Sequence, residues 1–269
     1  MSRRAFTVTI AFSEIGIMAI YDKPVRLLIR DMIVALAPTP DRQFSKDSAI
    51  AWFATNYPKI KEGTISAHLI RFSVNAASRL HYNARPDEDM LFQLDGSHFR
   101  IYNASTDPTP IHSKADAVIV RENFVEMSEA ESPQEFAYES DLKGFLAKNL
   151  SLLESGLQLY QDEGISGIEF PVGGRFIDIL AIDAERRLVI IELKVSRGYD
   201  RVVGQILRYM AWIKQHQAEP GQGVRGIIAA REISEDLKLA CSYTPNVSLY
   251  EYELSVALRK ITIDVIAKD

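Results

Sequence analysis

Apolar residues in the first hundred positions recur with helical spacing and then alternate. Residues 23–37 carry them every three or four positions, which is the pattern of one buried helix face. Residues 45–57 and 62–75 show the same spacing and predict a second and a third helix. Residues 90–102 then alternate on both sides of Asp95-Gly96, a turn pair typical of a β-hairpin. The amino-terminal third is therefore predicted to hold three helices followed by a hairpin.

Two longer apolar runs open a series of alternating elements in the second half. Residues 176–182 and 187–195 are mainly apolar, and the turn-like sequence DAERR joins them, which predicts two buried strands. After them come a helical pattern at 202–217, a strand pattern at 224–230, a helical pattern at 233–243 and a terminal strand region at 247–261. Strands and helices that alternate on this scale predict an α/β core with a mixed sheet.

The composition between residues 103 and 134 differs from that of both flanking regions. This stretch is rich in Pro, Ser, Asp and Glu, and only the sequence ADAVIVREN interrupts it with a candidate short strand. Such a composition predicts a linker. The predicted organisation is an extension at residues 1–21, a first domain at 22–111, a linker at 112–132 and a second domain at 133–269.

The first domain has the element order of a winged helix and a local excess of positive charge. In a winged helix the third helix reads DNA. Five cations and one acid, Glu62, stand between Lys59 and Arg85, whereas ten acids and two lysines stand between residues 122 and 163. We interpret polar side chains on and around the third helix as candidate DNA contacts, with a solvated helix of a protein–protein module as the alternative. The candidates are Lys61, Thr64, Ser66, His68, Arg71, Asn75 and Arg79.

Three charged residues interrupt the two apolar runs of the second domain. Asp178 lies in the first run, and Glu192 and Lys194 lie two positions apart in the second. On a strand, Glu192 and Lys194 point to the same face. Asp178, Glu192 and the carbonyl of Leu193 form a candidate Mg²⁺ site, because Mg²⁺ takes a few hard oxygen ligands and keeps several waters. Lys194 would then orient or deprotonate the attacking water, or neutralise charge on the phosphorane. The alternative is an ordinary ion pair on an edge strand.

The spacing D-x13-E-x-K, followed by Gln205-x-x-x-Tyr209, resembles that of the PD-(D/E)xK nuclease superfamily. The fuller sequence GRFIDILAID…RLVIIELKVSRGYDRVVGQILRYMAWI is similar to the nuclease domain of NucS-type endonucleases, over about residues 136–230. The resemblance implies that Asp178 and Glu192 hold Mg²⁺, with Mn²⁺ as a substitute. It also implies that Lys194 is the catalytic lysine.

The same resemblance implies roles for residues outside the two strands. Gln205 would contact the site or the DNA backbone, and Glu139, on the helix before the first strand, would supply a further acid, with Asp141 as the neighbouring alternative. This chain departs from the pattern by having Ile177 in place of the proline before the aspartate. Arg175 is a candidate phosphate contact, with a plain surface arginine as the alternative. Residues 22–111 resemble the helix-turn-helix-like domains that accompany restriction-type nucleases.

Composition limits where such a protein works and what it binds. The net charge of −5 argues against an indiscriminate nucleic-acid binder, so the basic surface must be local. The single cysteine, Cys241, excludes an internal disulfide and suits a reducing cytoplasm. The start MSRRAF looks like a twin-arginine signal, but Glu14 interrupts the apolar run after it. We therefore expect a cytoplasmic protein of prokaryotic type with no membrane partner.

The expected function is a divalent-metal-dependent DNA endonuclease, of restriction or repair type, in which the winged helix selects or anchors duplex DNA. The resemblance implies phosphodiester hydrolysis that leaves a 5′-phosphate. One catalytic set per chain cuts one strand at a time, so double-strand cleavage would need a homodimer, which we favour, or sequential nicking. The alternatives are a non-catalytic DNA-binding regulator that retains a nuclease fold, and a structure-specific nuclease acting on flaps, single strands or RNA.

Overall fold

The computed structural model describes residues 21–113, 116, 133–194 and 200–253; for residues 133–139 and 200 it describes the backbone alone. The chain divides into two compact units. The amino-terminal unit comprises Met1–Arg79, Asn83–Ile111 and Asp162–Ile165, and the carboxy-terminal unit comprises Leu80–Tyr82, His112–Gln161 and Ser166–Asp269. The predicted extension, apart from Tyr21, most of the predicted linker with its short strand, and the Glu139 side chain lie outside the described residues.

The amino-terminal unit consists of helices and a small sheet. Its elements are α1 (Val25–Leu36), β1 (Gln43–Ser45), α2 (Lys46–Asn56), α3 (Glu62–Phe72), β2 (Leu91–Gln93) and β3 (His98–Ile101). The sheet is antiparallel in the order β1-β3-β2. The three helices and the hairpin lie where the sequence predicts them. Strand β1 was not predicted, because three residues are too few to show a period.

A single apolar core holds this unit together. The helical stripe of α1 is buried from Val25 to Ile33 and packs with side chains of α2, α3 and the sheet, among them Phe53, Leu69 and Phe99. The Ser45 side chain accepts a hydrogen bond from the Ser48 amide at 3.1 Å and so caps the start of α2.

The carboxy-terminal unit is built on a mixed six-stranded sheet. Its order is β11-β10-β9-β8-β4, and β7 also pairs with β8; the β9–β10 and β10–β11 pairs are parallel, and the others are antiparallel. The mixed α/β class predicted for this part of the chain is confirmed. The elements in this part of the chain are α4 (Pro133–Lys148), β4 (Gln158–Leu159), β5 (Gln161–Asp162), β6 (Ile165–Ser166), β7 (Ile168–Val172), β8 (Arg175–Ile182), β9 (Leu188–Lys194), α5 (Asp200–His216), β10 (Val224–Ala230), α6 (Glu235–Cys241) and β11 (Val247–Glu251), of which β5 and β6 pair with each other and include residues of the amino-terminal unit.

Helices cover both faces of this sheet. Leu142 and Leu146 of α4 belong to the core cluster on one face, with inward residues of β8, β9 and β10. On α5, Ile206 and Ile213 are fully buried. A Cβ atom added at Gly226 of β10 would lie 2.6 Å from Ile206 Cδ1, so a glycine here lets α5 approach the strand closely. In the part of the chain that the structure describes, no helix has the length and apolar character needed to cross a membrane.

Arg225 joins β10 to two acids of the same unit. Its Nε donates to Asp183 Oδ2 at 2.8 Å and its Nη1 to Glu154 Oε1 at 3.0 Å. The hydrogen bond from Arg225 lowers the pKa of Glu154. Burial raises the pKa of Asp183, but the hydrogen bonds from Arg225 and Arg187 outweigh it and leave the pKa below its usual value. Both acids are therefore more acidic in the folded protein than in the unfolded chain.

This network predicts a specific dependence of stability on pH. Groups with a lowered folded-state pKa stabilise the protein above their unfolded pKa, here about 4, and the stabilisation is lost as pH falls through the folded pKa. At pH 7 we expect Arg225→Met to lower the free energy of unfolding by about 2–3 kcal/mol, and the penalty to shrink at pH 3. Urea denaturation at both pH values measures this.

Arg187→Met is the matched control, because Arg187 also bonds to Asp183 at 2.8 Å while its side chain is 45 % exposed. An exposed pair contributes less than about 1 kcal/mol. Equal losses for the two variants, or a loss for Arg225→Met that is the same at pH 3 and pH 7, would contradict the assignment.

Candidate active site

Strands β8 and β9 place two acids at the same level of the sheet. The last pair in their antiparallel register is Ile179 with Ile191, and Asp178 and Glu192 are the next residues on each strand. Asp178 Oδ2 accepts a hydrogen bond from the Leu193 amide at 2.9 Å. The carboxylate of Asp178 is therefore fixed against the neighbouring strand, beside Glu192.

Glu192 is the most deeply buried acid of this group. It is 2 % exposed, and its Oε1 accepts hydrogen bonds from Lys194 Nζ at 3.1 Å and from Gln205 Nε2 at 2.6 Å. Burying a carboxylate is costly unless it is paired and hydrogen-bonded. The lysine and the glutamine meet this need. Two predicted site residues, Lys194 and Gln205, thus converge on one oxygen atom of a third, Glu192.

Helix α5 brings Gln205 to the sheet together with Tyr209, the tyrosine of the Gln205-x-x-x-Tyr209 spacing. Gln205 Nε2 lies 3.1 Å from the hydroxyl oxygen of Tyr209, one helical turn further along. Burial raises the pKa of Tyr209, the hydrogen bond with Gln205 opposes this, and the charges of Glu192 and Asp178 add to the rise. The neutral hydroxyl thus helps to fix the amide that contacts Glu192.

Lys143 and Glu169 extend the site on the other side of Asp178. Lys143 Nζ lies 2.9 Å from Glu169 Oε1 and 3.5 Å from Asp178 Oδ1, and its side chain is 9 % exposed. Neither residue was predicted as part of the site. One available signal is that Lys143 stands four positions after Glu139, on the same helix face. Glu169 has no such signal, because its place depends on how β7 pairs with β8.

The donor set fits a magnesium ion that keeps several waters. Asp178 and Glu192 would hold it with hard carboxylate oxygens, and the carbonyl of Leu193 remains a predicted third ligand. Among the described residues, no three His, Cys, Asp or Glu side chains form a group that could hold a metal. The further acid predicted at Glu139 has its side chain outside the described residues, and Asp141, its alternative, is exposed.

The predicted DNA contacts on α3 are buried, which corrects the expectation that they face solvent. Thr64 and His68 are 0 % exposed, Ser66 is 6 % and Arg71 is 7 %. Within the amino-terminal unit, Thr64 bonds to Asp162, His68 Nε2 lies 3.2 Å from the Glu163 carbonyl, and Arg71 donates to the Gly164 carbonyl at 3.1 Å. Burial and the charge of Arg71 lower the pKa of His68 to about 3, so the imidazole is neutral. Thr64, His68 and Arg71 are engaged in internal hydrogen bonds, and all four side chains are buried, so they do not form an accessible base-reading face.

The remaining predicted DNA contacts differ in exposure. Arg79 is fully buried, where it pairs with Asp89 and donates to the carbonyls of Arg71 and Ile111. Asn75 is half-buried and exchanges two hydrogen bonds with the Gln93 backbone, at 2.8 and 2.9 Å. The two remaining candidates have more accessible side chains: Lys61, before α3, is half-buried, and Arg175, at the start of β8, is exposed.

The mixed sheet and helix α5 thus bring two acids, a lysine and a glutamine together at one place. Residues 138–243 match the family described as the endonuclease NucS C-terminal domain. Residues 24–101 match a second family, described as a domain of unknown function (DUF7669).

Individual relatives carry the same name. Endonuclease NucS of Pyrococcus abyssi is 23 % identical over 198 residues, which are 62 % of this chain and 75 % of that relative. Endonuclease NucS of Pyrococcus furiosus is 28 % identical over 101 residues, 37 % of this chain and 34 % of that relative. The chain thus spans about three quarters of one relative and a third of the other.

Solved structures give weaker matches. The crystal structure of a repair endonuclease from Pyrococcus abyssi has a TM-score of 0.36 at 24 % identity, and the match covers 48 % of this chain and 50 % of that chain. The EndoMS-dsDNA2 complex also has a TM-score of 0.36, at 17 % identity, with 60 % of this chain and 53 % of that chain covered.

Proposed function

We propose that this protein is a divalent-metal-dependent DNA endonuclease that hydrolyses phosphodiester bonds in duplex DNA. The observation that carries the proposal is the convergence of Lys194 and Gln205 on the buried carboxylate of Glu192, beside Asp178. The relatives named Endonuclease NucS support the same activity. A buried acid that meets a lysine, a glutamine and a second acid at one end of two strands is better suited to chemistry than to stability alone.

Asp178 and Glu192 would hold Mg²⁺, with Mn²⁺ as a substitute. When bound, the ion would polarise a phosphoryl oxygen and lower the pKa of a coordinated water. The protein itself fixes the orientation of the two carboxylate ligands. The Leu193 amide fixes one oxygen of Asp178, and Gln205 fixes Oε1 of Glu192, so both ligands are oriented before substrate arrives.

Lys194 has the position of a group that acts on the reacting atoms. Its ammonium lies 3.1 Å from Glu192 Oε1, and its side chain is 25 % exposed, so it reaches from the buried acid toward solvent. From there it would orient the attacking water and offset the negative charge that grows on the phosphorane. The pairing with Glu192 keeps this ammonium at the site in the absence of substrate.

Binding to DNA needs positive surface outside the acids of the site. Arg175 is exposed at the start of β8, three residues before Asp178, and is our candidate contact to a phosphate near the scissile bond. We further propose that the amino-terminal unit selects or anchors the duplex. Its element order, with a three-stranded sheet and a hairpin after α3, supports this role. The contacts would come from accessible side chains such as Lys61 rather than from the buried face of α3.

The described part of the chain contains one such set of residues. One set hydrolyses one strand at a time, so we propose that double-strand cleavage requires a homodimer. A monomer is expected to stop after it has cut one strand of the duplex. Sedimentation of the protein bound to DNA measures how many chains the active species contains.

Cleavage mapping tests the proposed function directly. The purified full chain is incubated with labelled duplex, mismatched, modified-base, flap and single-stranded oligonucleotides, with Mg²⁺, with Mn²⁺ or with EDTA. We expect cleavage of duplex substrates that EDTA abolishes and that leaves 5′-phosphates. Binding without cleavage of any substrate would favour a regulator, and faster cleavage of flaps or single strands would favour a structure-specific nuclease.

A further inference from the structure

Three acids stand in a row across three neighbouring strands. The β7–β8 register pairs Ile168 with Ile179 and Phe170 with Ile177, so Glu169 is the residue at the level of Asp178. On the other side of Asp178, the β8–β9 register brings Glu192 to that level. The row Glu169–Asp178–Glu192 therefore crosses the sheet at the candidate active site.

A lysine from α4 lies between the first two acids of this row. The Lys143 ammonium is 2.9 Å from Glu169 Oε1 and 3.5 Å from Asp178 Oδ1, while Lys194 lies at Glu192. One ammonium thus lies between the first two acids of the row, and a second lies beside the third acid. Two adjacent carboxylates repel each other unless a cation stands between them.

The backbone of Glu169 holds an unfavourable conformation at this point. Its φ is 48°, in the left-handed region that non-glycine residues rarely adopt. The Tyr82 hydroxyl donates to the Glu169 carbonyl at 2.7 Å, within the same unit. Such a conformation persists only where the surroundings fix it, and it directs the carboxylate to Lys143.

We propose that Lys143 is a positioning residue whose ammonium replaces a second divalent cation between Glu169 and Asp178. The site then takes a single metal ion per chain, held by Asp178 and Glu192. This inference rests on the proposed function, because it assumes that those two acids bind the metal. It goes further in two ways. It assigns one metal ion to each chain, and it explains this number by the ammonium of Lys143.

Removing the ammonium leaves two neighbouring carboxylates with oxygen donors of the kind that Mg²⁺ and Mn²⁺ accept. We therefore expect Lys143→Met to bind two Mn²⁺ ions per chain, whereas the wild type binds one. We also expect the total affinity for Mn²⁺ to rise by on the order of tenfold or more, since a positive charge close to the ligands is lost. A role for Lys143 limited to packing would change neither quantity.

The experiment is a calorimetric titration of the full chain with Mn²⁺ alone, without DNA. Lys148→Met is the matched control, because Lys148 ends the same helix and is exposed. It is expected to bind one ion with wild-type affinity. The double variant Lys143→Met/Glu169→Gln is expected to return to one ion, since it lacks the carboxylate of the second position. Two ions in the wild type, or one ion with unchanged affinity in Lys143→Met, would overturn the proposal.

A thermal measurement covers the case in which Lys143→Met folds poorly. If an ion replaces the ammonium, millimolar Mn²⁺ must raise the melting temperature of Lys143→Met more than that of the wild type or of Lys148→Met. An equal rise in all three would refute the inference.

The outcome is separable from that of the proposed function. Asp178→Asn should abolish Mn²⁺ binding in the wild-type background if this acid is a metal ligand. Unchanged binding there would reject the metal site itself, whatever Lys143 does. If Asp178→Asn loses Mn²⁺ binding as expected but Lys143→Met still binds only one Mn²⁺ ion, only the role of Lys143 is rejected.

Discussion

Glu192→Gln and Lys194→Met are each expected to reduce metal-dependent cleavage of duplex DNA by on the order of a thousandfold or more. The first replaces a proposed metal ligand by an amide of the same shape, and the second removes the ammonium beside it. Initial rates on a labelled duplex with saturating Mg²⁺ measure the effect. Affinity for the duplex, measured by gel shift in Ca²⁺ or EDTA, is expected to change less than about threefold, because neither side chain is a proposed DNA anchor.

The size of this effect follows from the geometry of one oxygen atom. Glu192 Oε1 accepts from both Lys194 and Gln205, so a change at Glu192 disturbs the metal ligand and the lysine together. Effects of residues that act as a unit are not additive. The double variant should therefore be little worse than either single variant.

An exposed ion pair of the same unit provides the control. Glu235 and Lys238 on α6 lie 2.7 Å apart with side chains that are 88 % and 54 % exposed. Glu235→Gln and Lys238→Met should cleave at the wild-type rate. Thermal melting of all four variants shows whether the fold is intact. Full activity in both site variants, with normal folding, would remove the basis for the proposed active site.

Arg71→Met is expected to destabilise the protein by about 3–5 kcal/mol, the cost of leaving a buried charge without its partner. Arg71 Nε donates to Glu88 Oε2 at 2.9 Å, and the two side chains are only 8 % and 1 % exposed. The other oxygen, Glu88 Oε1, is buried without a hydrogen bond among the described residues. Without Arg71, Glu88 would remain in the interior as an uncompensated carboxylate.

A second substitution, at Glu88, shows whether the loss comes from the ion pair. Arg71→Met/Glu88→Gln should be more stable than Arg71→Met by about 2 kcal/mol, because the buried negative charge is gone while an acceptor remains for the Arg85 amide. Lys59→Met, at an exposed cation of the same unit, should change the free energy of unfolding by less than about 0.5 kcal/mol. Urea denaturation measures all four proteins. A loss below about 1 kcal/mol in Arg71→Met would contradict a buried pair.

This prediction changes how a DNA-binding experiment on α3 must be interpreted. Weaker duplex binding by an Arg71 variant would be the expected result both of a lost DNA contact and of an unfolded amino-terminal unit. The burial of Arg71 and His68 favours the second explanation. Variants at Lys61 and Arg175, whose side chains are accessible, separate contact from stability more cleanly.

Local sequence patterns were sufficient for the elements and for part of the site. Helical spacing placed α1, α2 and α3, and alternation around Asp95-Gly96 placed the hairpin, because each period reports the geometry of its own segment. Asp178, Glu192 and Lys194 lie on two consecutive apolar strands. To predict that they meet, it was enough to assume that these neighbouring strands pair. The structure brings these residues together with Gln205.

Tertiary structure decided what local patterns cannot contain. The polar side chains of α3 look like a solvated face, yet residues some ninety positions later, Asp162–Ile165, supply their hydrogen-bond partners within the same unit. Lys143 and Glu169 join the site through the packing of α4 and the pairing of β7 with β8. A sequence fixes which face of an element is apolar, because that depends on near neighbours. Which distant segment meets a polar face depends on the whole chain, and so only the folded protein reveals it.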